Sequence, residues 1–321
     1  MNITVIGCGR WGSLITWYLD HIGHRVTLYG RAASPRMQAF LTTRQNDLLT
    51  LPESVALSTA LDAALESAET VIISIGSQSL RALLGQPELQ ALRSRTVVLC
   101  MKGLEMGTGA RLSQIAAELL HPSNTVAVWL GPGHVQEFYR GIPNCMVIDS
   151  ENEDVKRRLV QAFSSDLIRF YYGGDMIGNE VGAAAKNVVG IAAGFLDGFE
   201  MSSLKGALMS RGTREVARLI KAMGGSELSA YGLCHLGDYE ATVFSPYSHN
   251  RQFGESFVRG QDYHQLAEGY YTAKALMLLG QRYGVELPIC KAVHDILYEQ
   301  AVPRDMLAGL LRRGLTEEFY D

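Results

Sequence analysis

The sequence predicts an α/β protein, a doubly wound and mostly parallel sheet followed by an all-α C-terminal domain. Three observations lead there. Short, β-branched apolar runs alternate with helical patterns through the first half of the chain. The first run feeds straight into the glycine-rich stretch GCGRWG. From about Ile177 the strand runs stop and long helical patterns take over.

The strand runs, in order, are Ile3–Ile6, Arg25–Tyr29, Val71–Ile75, Thr96–Met101, Val126–Leu130 and Cys145–Ile148. Each is short and bounded by Gly, Pro or polar residues. Amphipathic stretches such as Trp11–Ile22 and Gly109–Leu120 fall between them. The helical patterns of the second half are Gly178–Leu196, Leu204–Met223, Tyr263–Tyr283, Ile289–Glu299 and Arg304–Arg313. A domain boundary is placed near residues 170–178, around YYGGD, giving a sheet domain over 1–174 and a helical domain over 175–321.

Gly7, Gly9 and Gly12 stand in G-x-G-x-x-G spacing between the first run and the helical pattern after it. Gly7 suits a tight turn, Gly9 lets a pyrophosphate approach the backbone, and Gly12 lets helix and strand pack closely. The strand–turn–helix context marks a Rossmann-type dinucleotide site rather than a chance glycine cluster. The second strand ends Leu28-Tyr29-Gly30-Arg31, without the acid that would bind a ribose 2′-hydroxyl. Arg31, with Ser34 and Arg36, suits a 2′-phosphate. The competing reading is that these arginines are solvated surface residues. The cofactor expected is NADP or NAD, with NADP slightly favoured.

Residues 181–196, VGAAAKNVVGIAAGFL, carry one charge, Lys186. Gly182, Lys186, Gly190 and Gly194 recur every fourth residue and so share one helix face. Each glycine costs a helix about 1 kcal/mol relative to alanine, so something must come close to that face, either another backbone or a flat ligand. A lysine among apolar walls has its pKa lowered by desolvation, which suits acid–base work near neutral pH. On this stretch alone, a snorkelling lysine fits equally well.

Composition sets the outer bounds. The 321 residues make about two domains, at roughly 100–200 residues per domain. Charged residues are 19% and hydrophobic ones 47%, with net charge −4 and no long run of one sign, which argues against a general nucleic-acid or membrane-surface binder. No apolar run approaches the ~18 uncharged residues of a membrane span. The five cysteines, Cys8, Cys100, Cys145, Cys234 and Cys290, are scattered and never in C-x-x-C, which argues against a disulfide framework or a Cys-rich zinc site. The chain opens on a strand pattern, MNITVIG, with no room for a signal peptide, so a cytoplasmic location is expected.

Further stretches line up in order with GCGRWG: SIGSQSLRALL (74–84), CMKGLE (100–105), GPGHVQEFYRGIPN (131–144), GNEVGAAAKNVVGIAAGFLDG (178–198), SRG (210–212), GLCHLGDYEAT (232–242), SHNRQFG (248–254) and LAEGYYTAK (266–274). Together they resemble the bacterial-type NAD(P)-dependent glycerol-3-phosphate dehydrogenases, from residue 3 to about residue 300. The resemblance implies a Rossmann domain and an all-helical domain. It also implies hydride transfer between dihydroxyacetone phosphate and sn-glycerol 3-phosphate, supplying glycerol 3-phosphate for phospholipid synthesis.

The same resemblance implies roles. Lys186, in the A-x-K-N-type motif, is the proton donor and acceptor, and Lys102 and Asp238 complete the catalytic set. The substrate set is Lys102, Gly131, Gly133, Lys186, Asn187, Asp238, Thr242, Ser248, His249 and Asn250. The dinucleotide set is Gly7, Gly9, Arg10, Trp11, Gly12, Arg31, Lys102, Val135, His249, Leu266 and Glu268. A small phosphorylated ketone or alcohol is the implied partner, and a homodimer is compatible with the family. No metal is implied.

Three departures stand out. Ser248-His249-Asn250 replaces the family's S-R-N, and a histidine cannot reproduce the bidentate fork of the phosphate-binding arginine. Gly133-His134 stands where the family has Ser or Thr, then Phe. Cys234-His235 stands where it has Ala-Gly. The spacing of His134, His235 and His249 is not a metal-ligand motif. The phosphate contact then falls to His249, or to Asn250, backbone N–H groups and Lys205 or Arg211. A reductase acting on a different ketone or hydroxy acid, and a non-catalytic dinucleotide sensor, are the alternative readings.

Overall fold

The structure, a computed structural model, describes residues 1–312 and 317–318. Its strands are β1 (Asn2–Ile6), β2 (Arg25–Tyr29), β3 (Ala56–Ser58), β4 (Thr70–Ile73), β5 (Thr96–Leu99), β6 (Thr125–Leu130), β7 (Asn144–Ser150) and β8 (Ile168–Tyr172). They form one sheet in the order β3-β2-β1-β4-β5-β6-β7-β8. All neighbours are parallel except β6 and β7, where Trp129 faces Ile148. Val5 of β1 lies between Leu28 of β2 and Ile72 of β4, and all three side chains are fully buried. Strands covered on both faces need such continuous apolar runs.

The longer helices of this part are α1 (Arg10–His21), α2 (Pro35–Thr43), α3 (Leu112–Leu119) and α4 (Glu153–Phe163). The Asn152 side chain caps α4 by accepting from the Val155 N–H. Trp129 anchors the core, with Tyr18, Phe163 and Phe170 around its ring.

The helical part contains α5 (Met176–Gly198), α6 (Lys205–Ala222), α7 (His249–Val258), α8 (Glu268–Tyr283), α9 (Pro288–Tyr298) and α10 (Pro303–Leu311). Helix α5 is buried continuously from Val181 to Leu196, as expected of a helix apolar on every face. Val188, Ile191 and Phe195 pack against Val216, Leu219 and Leu276. The buried Glu215 carboxylate of α6 accepts from the N–H groups of Ile289 and Cys290, at 2.8 and 2.9 Å. Burial raises its pKa, and those two donors work against the rise while using N–H groups that α9 cannot satisfy itself.

The chain divides into two compact units, Met1–Met101 with Leu112–Met176, and Lys102–Arg111 with Ile177 onward. The main division falls inside the stretch around YYGGD. The transfer of Lys102–Arg111 to the helical unit has no counterpart in the sequence pattern. It follows from packing: Leu104 is fully buried in the helical core, and Gly109, at φ +71°, lies against Leu279.

Several elements differ from their predicted extents. β3 is only three residues long, and β8, IRFYY, carries an arginine and exposed tyrosines, so neither reads as a buried run. The helix predicted over Gly109–Leu120 starts at Leu112, because the residues before it belong to the other unit. The helix predicted from Tyr263 starts at Glu268, after an extended Ala267. Helix α7 was not predicted, and its cap, Ser248, accepts from the Arg251 N–H. The predicted helix end at Arg313 lies outside the described residues.

Candidate active site

In the sheet unit the predicted dinucleotide residues gather where β1 passes into α1. Gly7 has φ +117°, and a Cβ there would lie 2.2 Å from the Ser74 carbonyl oxygen. A Cβ on Gly12 would lie 1.9 Å from the Gly7 carbonyl oxygen. Neither position admits another residue. Gly9 is different: its Cβ position is open, with the Arg36 guanidinium the nearest group at 3.7 Å. Gly9 is also the N-cap of α1. An open glycine at a helix N-terminus with a cation beside it is a cradle that fits a phosphate. Arg31 and Arg36 are both exposed. Ser34 is occupied as the cap of α2, accepting from the Met37 N–H.

The turn after β6 comes to the same region. Gly131 has φ +124° and Gly133 φ +144°. A Cβ on Gly133 would fall 2.2 Å from the Phe138 ring, so this glycine is required by its own backbone and by Phe138. Phe138 also meets Trp11, with ring centroids 6.0 Å apart. Val135 opens the short helix that carries Phe138 and is buried. Gly133 and Trp11 are thus neighbours through one aromatic ring, while Gly131 lies against Met146.

The helical unit holds the charged cluster. Lys102 Nζ lies 2.7 Å and Lys186 Nζ 3.0 Å from the same oxygen, Asp238 Oδ2. Lys186 also donates to Thr242 Oγ1 at 2.6 Å. Asp238 is 1% exposed, Lys186 8% and Lys102 20%, so the two lysines share one buried carboxylate and Lys102 is the more open. Burial lowers the Lys186 pKa from 10.5 to about 8; Asp238 opposes this and Lys102 adds to it. Lys186 can therefore carry or release a proton near neutral pH. Thr242 sits on a single π-helical turn, Glu240–Phe244, an irregularity common at functional sites.

Three amides fix the frame. Asn187 Nδ2 donates to the Lys102 carbonyl at 2.7 Å, Asn250 Nδ2 to Asn187 Oδ1 at 3.0 Å, and the Gly269 N–H to Asn250 Oδ1 at 2.9 Å. The chain runs from the first turn of α8, where Glu268 sits, through α7 and α5 to the Lys102 loop. The same loop is held by Arg111, whose Nη1 lies 2.6 Å from Glu180 Oε2, a nearly buried pair. Sequence reasoning missed this pair. A charge at Glu180, at the entrance to an apolar helix, was the available signal.

The glycine row on α5 admits close neighbours, backbone at Gly194 and side chains at Gly190 and Gly182. A Cβ on Gly194 would lie 2.1 Å from the Arg251 carbonyl oxygen. One on Gly190 would lie 2.7 Å from Thr242 Cγ2, and one on Gly182 3.0 Å from His235 Cβ.

His249 begins α7, with Nδ1 2.6 Å from Tyr263 Oη. Leu266 is exposed just before α8. Lys205, expected as an alternative phosphate ligand, does not serve. It is 6% exposed and donates to Asp197 Oδ2 at 2.6 Å and to the Val243 carbonyl at 3.0 Å. Arg211 donates to the Glu318 carbonyl. Arg251 joins Asp197 and Glu255. Among the described residues no group of three His, Cys, Asp or Glu is placed to hold a metal ion.

A sheet that opens on a glycine turn with room for a phosphate, followed by a helical unit with a buried lysine against a carboxylate, is the architecture of a two-domain dehydrogenase. The chain belongs to the NAD-dependent glycerol-3-phosphate dehydrogenase family. Residues 2–156 match the family's N-terminal model and residues 175–308 its C-terminal model. A glycerol-3-phosphate dehydrogenase [NAD(P)+] of Thermoanaerobacter sp. is 32% identical over 100% of this chain and 99% of its own length. That of Nitrosomonas eutropha is 34% identical over 98% of each. The crystal structure of the glycerol-3-phosphate dehydrogenase of Coxiella burnetii superposes with a TM-score of 0.89 at 27% identity, covering 97% of this chain and 99% of that one.

Proposed function

We propose that this protein interconverts dihydroxyacetone phosphate and sn-glycerol 3-phosphate with NAD(P) as hydride carrier, and so feeds phospholipid synthesis. The observation that carries the reading is Lys186, buried and titrating near 8, against Asp238 and Thr242. The Gly7–Gly12 turn with Arg36 receives the dinucleotide pyrophosphate, and Arg31 and Arg36 favour a 2′-phosphate. A bound nicotinamide supplies or accepts the hydride. In the reducing direction the Lys186 ammonium gives its proton to the substrate oxygen as that oxygen gains charge. In the oxidising direction neutral Lys186 takes the hydroxyl proton. Thr242 and Asp238 hold the Nζ in place, and Lys102 supplies a second cation beside it. Asn187 keeps the Lys102 backbone fixed. We assign the phosphate to Lys102, which stays paired with Asp238, and to His249 and Asn250.

The five cysteines form no disulfide among the described residues and four of them are buried, which suits a reducing compartment, and we place the protein in the cytoplasm. No described helix is long and apolar enough to cross a membrane.

The test is oxidation of NADPH and NADH with dihydroxyacetone phosphate, beside a panel of unphosphorylated ketones. Turnover with the phosphate ester is expected, and Lys186→Ala should lower kcat by about 10²–10⁴-fold. Turnover only with an unphosphorylated ketone, or normal kcat in Lys186→Ala, would overturn the assignment.

A further inference from the structure

Asp238 is held in an unusual way. Both lysines approach Oδ2, while Oδ1 is buried with no hydrogen-bond partner among the described residues. The carboxylate is therefore not pinned by its own bonds to backbone. Its place depends on the turn that carries it, Leu236–Asp238.

That turn is closed by its two flanking residues. His235 and Tyr239 are both fully buried, and Tyr239 Oη lies 2.8 Å from His235 Nε2. His235 Nδ1 lies 2.8 Å from the Gly182 carbonyl oxygen. A carbonyl only accepts, so Nδ1 carries the proton and Nε2 accepts from the phenol O–H, which fixes one neutral tautomer. Burial, the largest influence, lowers the imidazole pKa to about 4, so this state persists at working pH. Gly182 lies one helical turn before Lys186 on the same face of α5. The absent side chain at Gly182 admits His235, whose Cβ lies 3.0 Å from the position a Cβ would take.

We propose that His235 and Tyr239 form a clamp that positions Asp238 against Lys186, making both positioning residues for the proton transfer described above, on which this inference rests. The imidazole ties the start of the turn to the helix that carries the lysine. The phenol ties its end to the imidazole. Asp238 lies between the two and cannot turn away. The other groups facing Lys186 are Lys102, the Cys234 thiol and the Thr242 hydroxyl, and none of them holds the turn.

Tyr239→Phe keeps the ring and removes the hydroxyl, which is hydrogen-bonded to Thr213 as well as to His235. It is expected to lower kcat for ketone reduction by about three- to tenfold with the dinucleotide KM unchanged. It is also expected to move the alkaline limb of the pH profile down by about half a pH unit, since a loosened Asp238 supports the ammonium less. His235→Leu should give the same loss, and the double variant no more than either single one. If His235→Leu does not fold, Tyr239→Phe decides. A Tyr239→Phe enzyme with lowered Tm but kcat within about twofold and an unmoved pH limb would overturn the clamp. Should the wild type fail to turn over dihydroxyacetone phosphate, the function fails separately, and hydrogen exchange judges the clamp. Faster exchange across residues 232–242 in Tyr239→Phe supports it, and unchanged exchange overturns it.

Discussion

At the scale of the residue, the proposed chemistry rests on one lysine, and its environment sets the pH at which it loses its charge. Lys186 loses charge stability by burial and by the neighbouring Lys102, and regains part of it from Asp238. The sign follows. Reduction needs the protonated amine, so its rate should fall as pH rises through about 8. Oxidation needs the neutral amine, so its rate should rise over the same window. Removing Lys102 removes a like charge and should move both limbs to higher pH. Profiles of kcat for the wild type and Lys102→Ala in each direction check this. A limb that stays put or moves down in the variant would show that Lys102 does not act on Lys186. Gly133 makes a different point. Its φ and the Phe138 ring leave no room for a side chain.

Among elements, the segment Lys102–Arg111 is the informative one. It leaves the sheet at β5, yet Leu104, Arg111 and the Lys102 carbonyl are all held by the helical unit. The Arg111–Glu180 pair is 11% and 5% exposed. Breaking such a pair from one side leaves a buried charge and costs about 3–5 kcal/mol. Glu180→Ala should therefore lower stability by about that amount in urea titration, and Arg111→Met with Glu180→Met together should cost much less. Equal losses in the single and double variants would mean that the pair is not a coupled unit.

For the molecule as a whole, the two units divide the work. The sheet unit holds the glycine turn and its arginines, and the helical unit holds the lysines, Asp238 and the asparagine relay. Ligand that binds the folded sheet unit should stabilise it by mass action, by about 2.7 kcal/mol at one hundred times the dissociation constant. NADPH should raise the unfolding temperature in Lys186→Ala as much as in the wild type, because that residue is not among those expected to contact the dinucleotide. A smaller rise in the variant, measured by a thermal scan at matched saturation, would show that Lys186 takes part in dinucleotide binding.

The sequence by itself determined the fold class and singled out the glycine turn after the first strand and the one lysine of the apolar helix. Each is written locally. Strand runs and glycine spacing are short-range patterns, and a lone charge in an apolar helix is conspicuous without neighbours. Tertiary structure decided which side chains are spent and which are free to act. Lys205 and Arg251 are consumed by Asp197, Ser248 is a helix cap, and Lys102 belongs to the helical unit rather than to the sheet from which it emerges. It also joined His235 and Tyr239 into a closed hydrogen-bonded turn. These outcomes depend on contacts between residues up to 136 positions apart, as between Lys102 and Asp238. No local pattern encodes such a contact, because what fixes it is the packing of helices whose faces only the folded chain brings together.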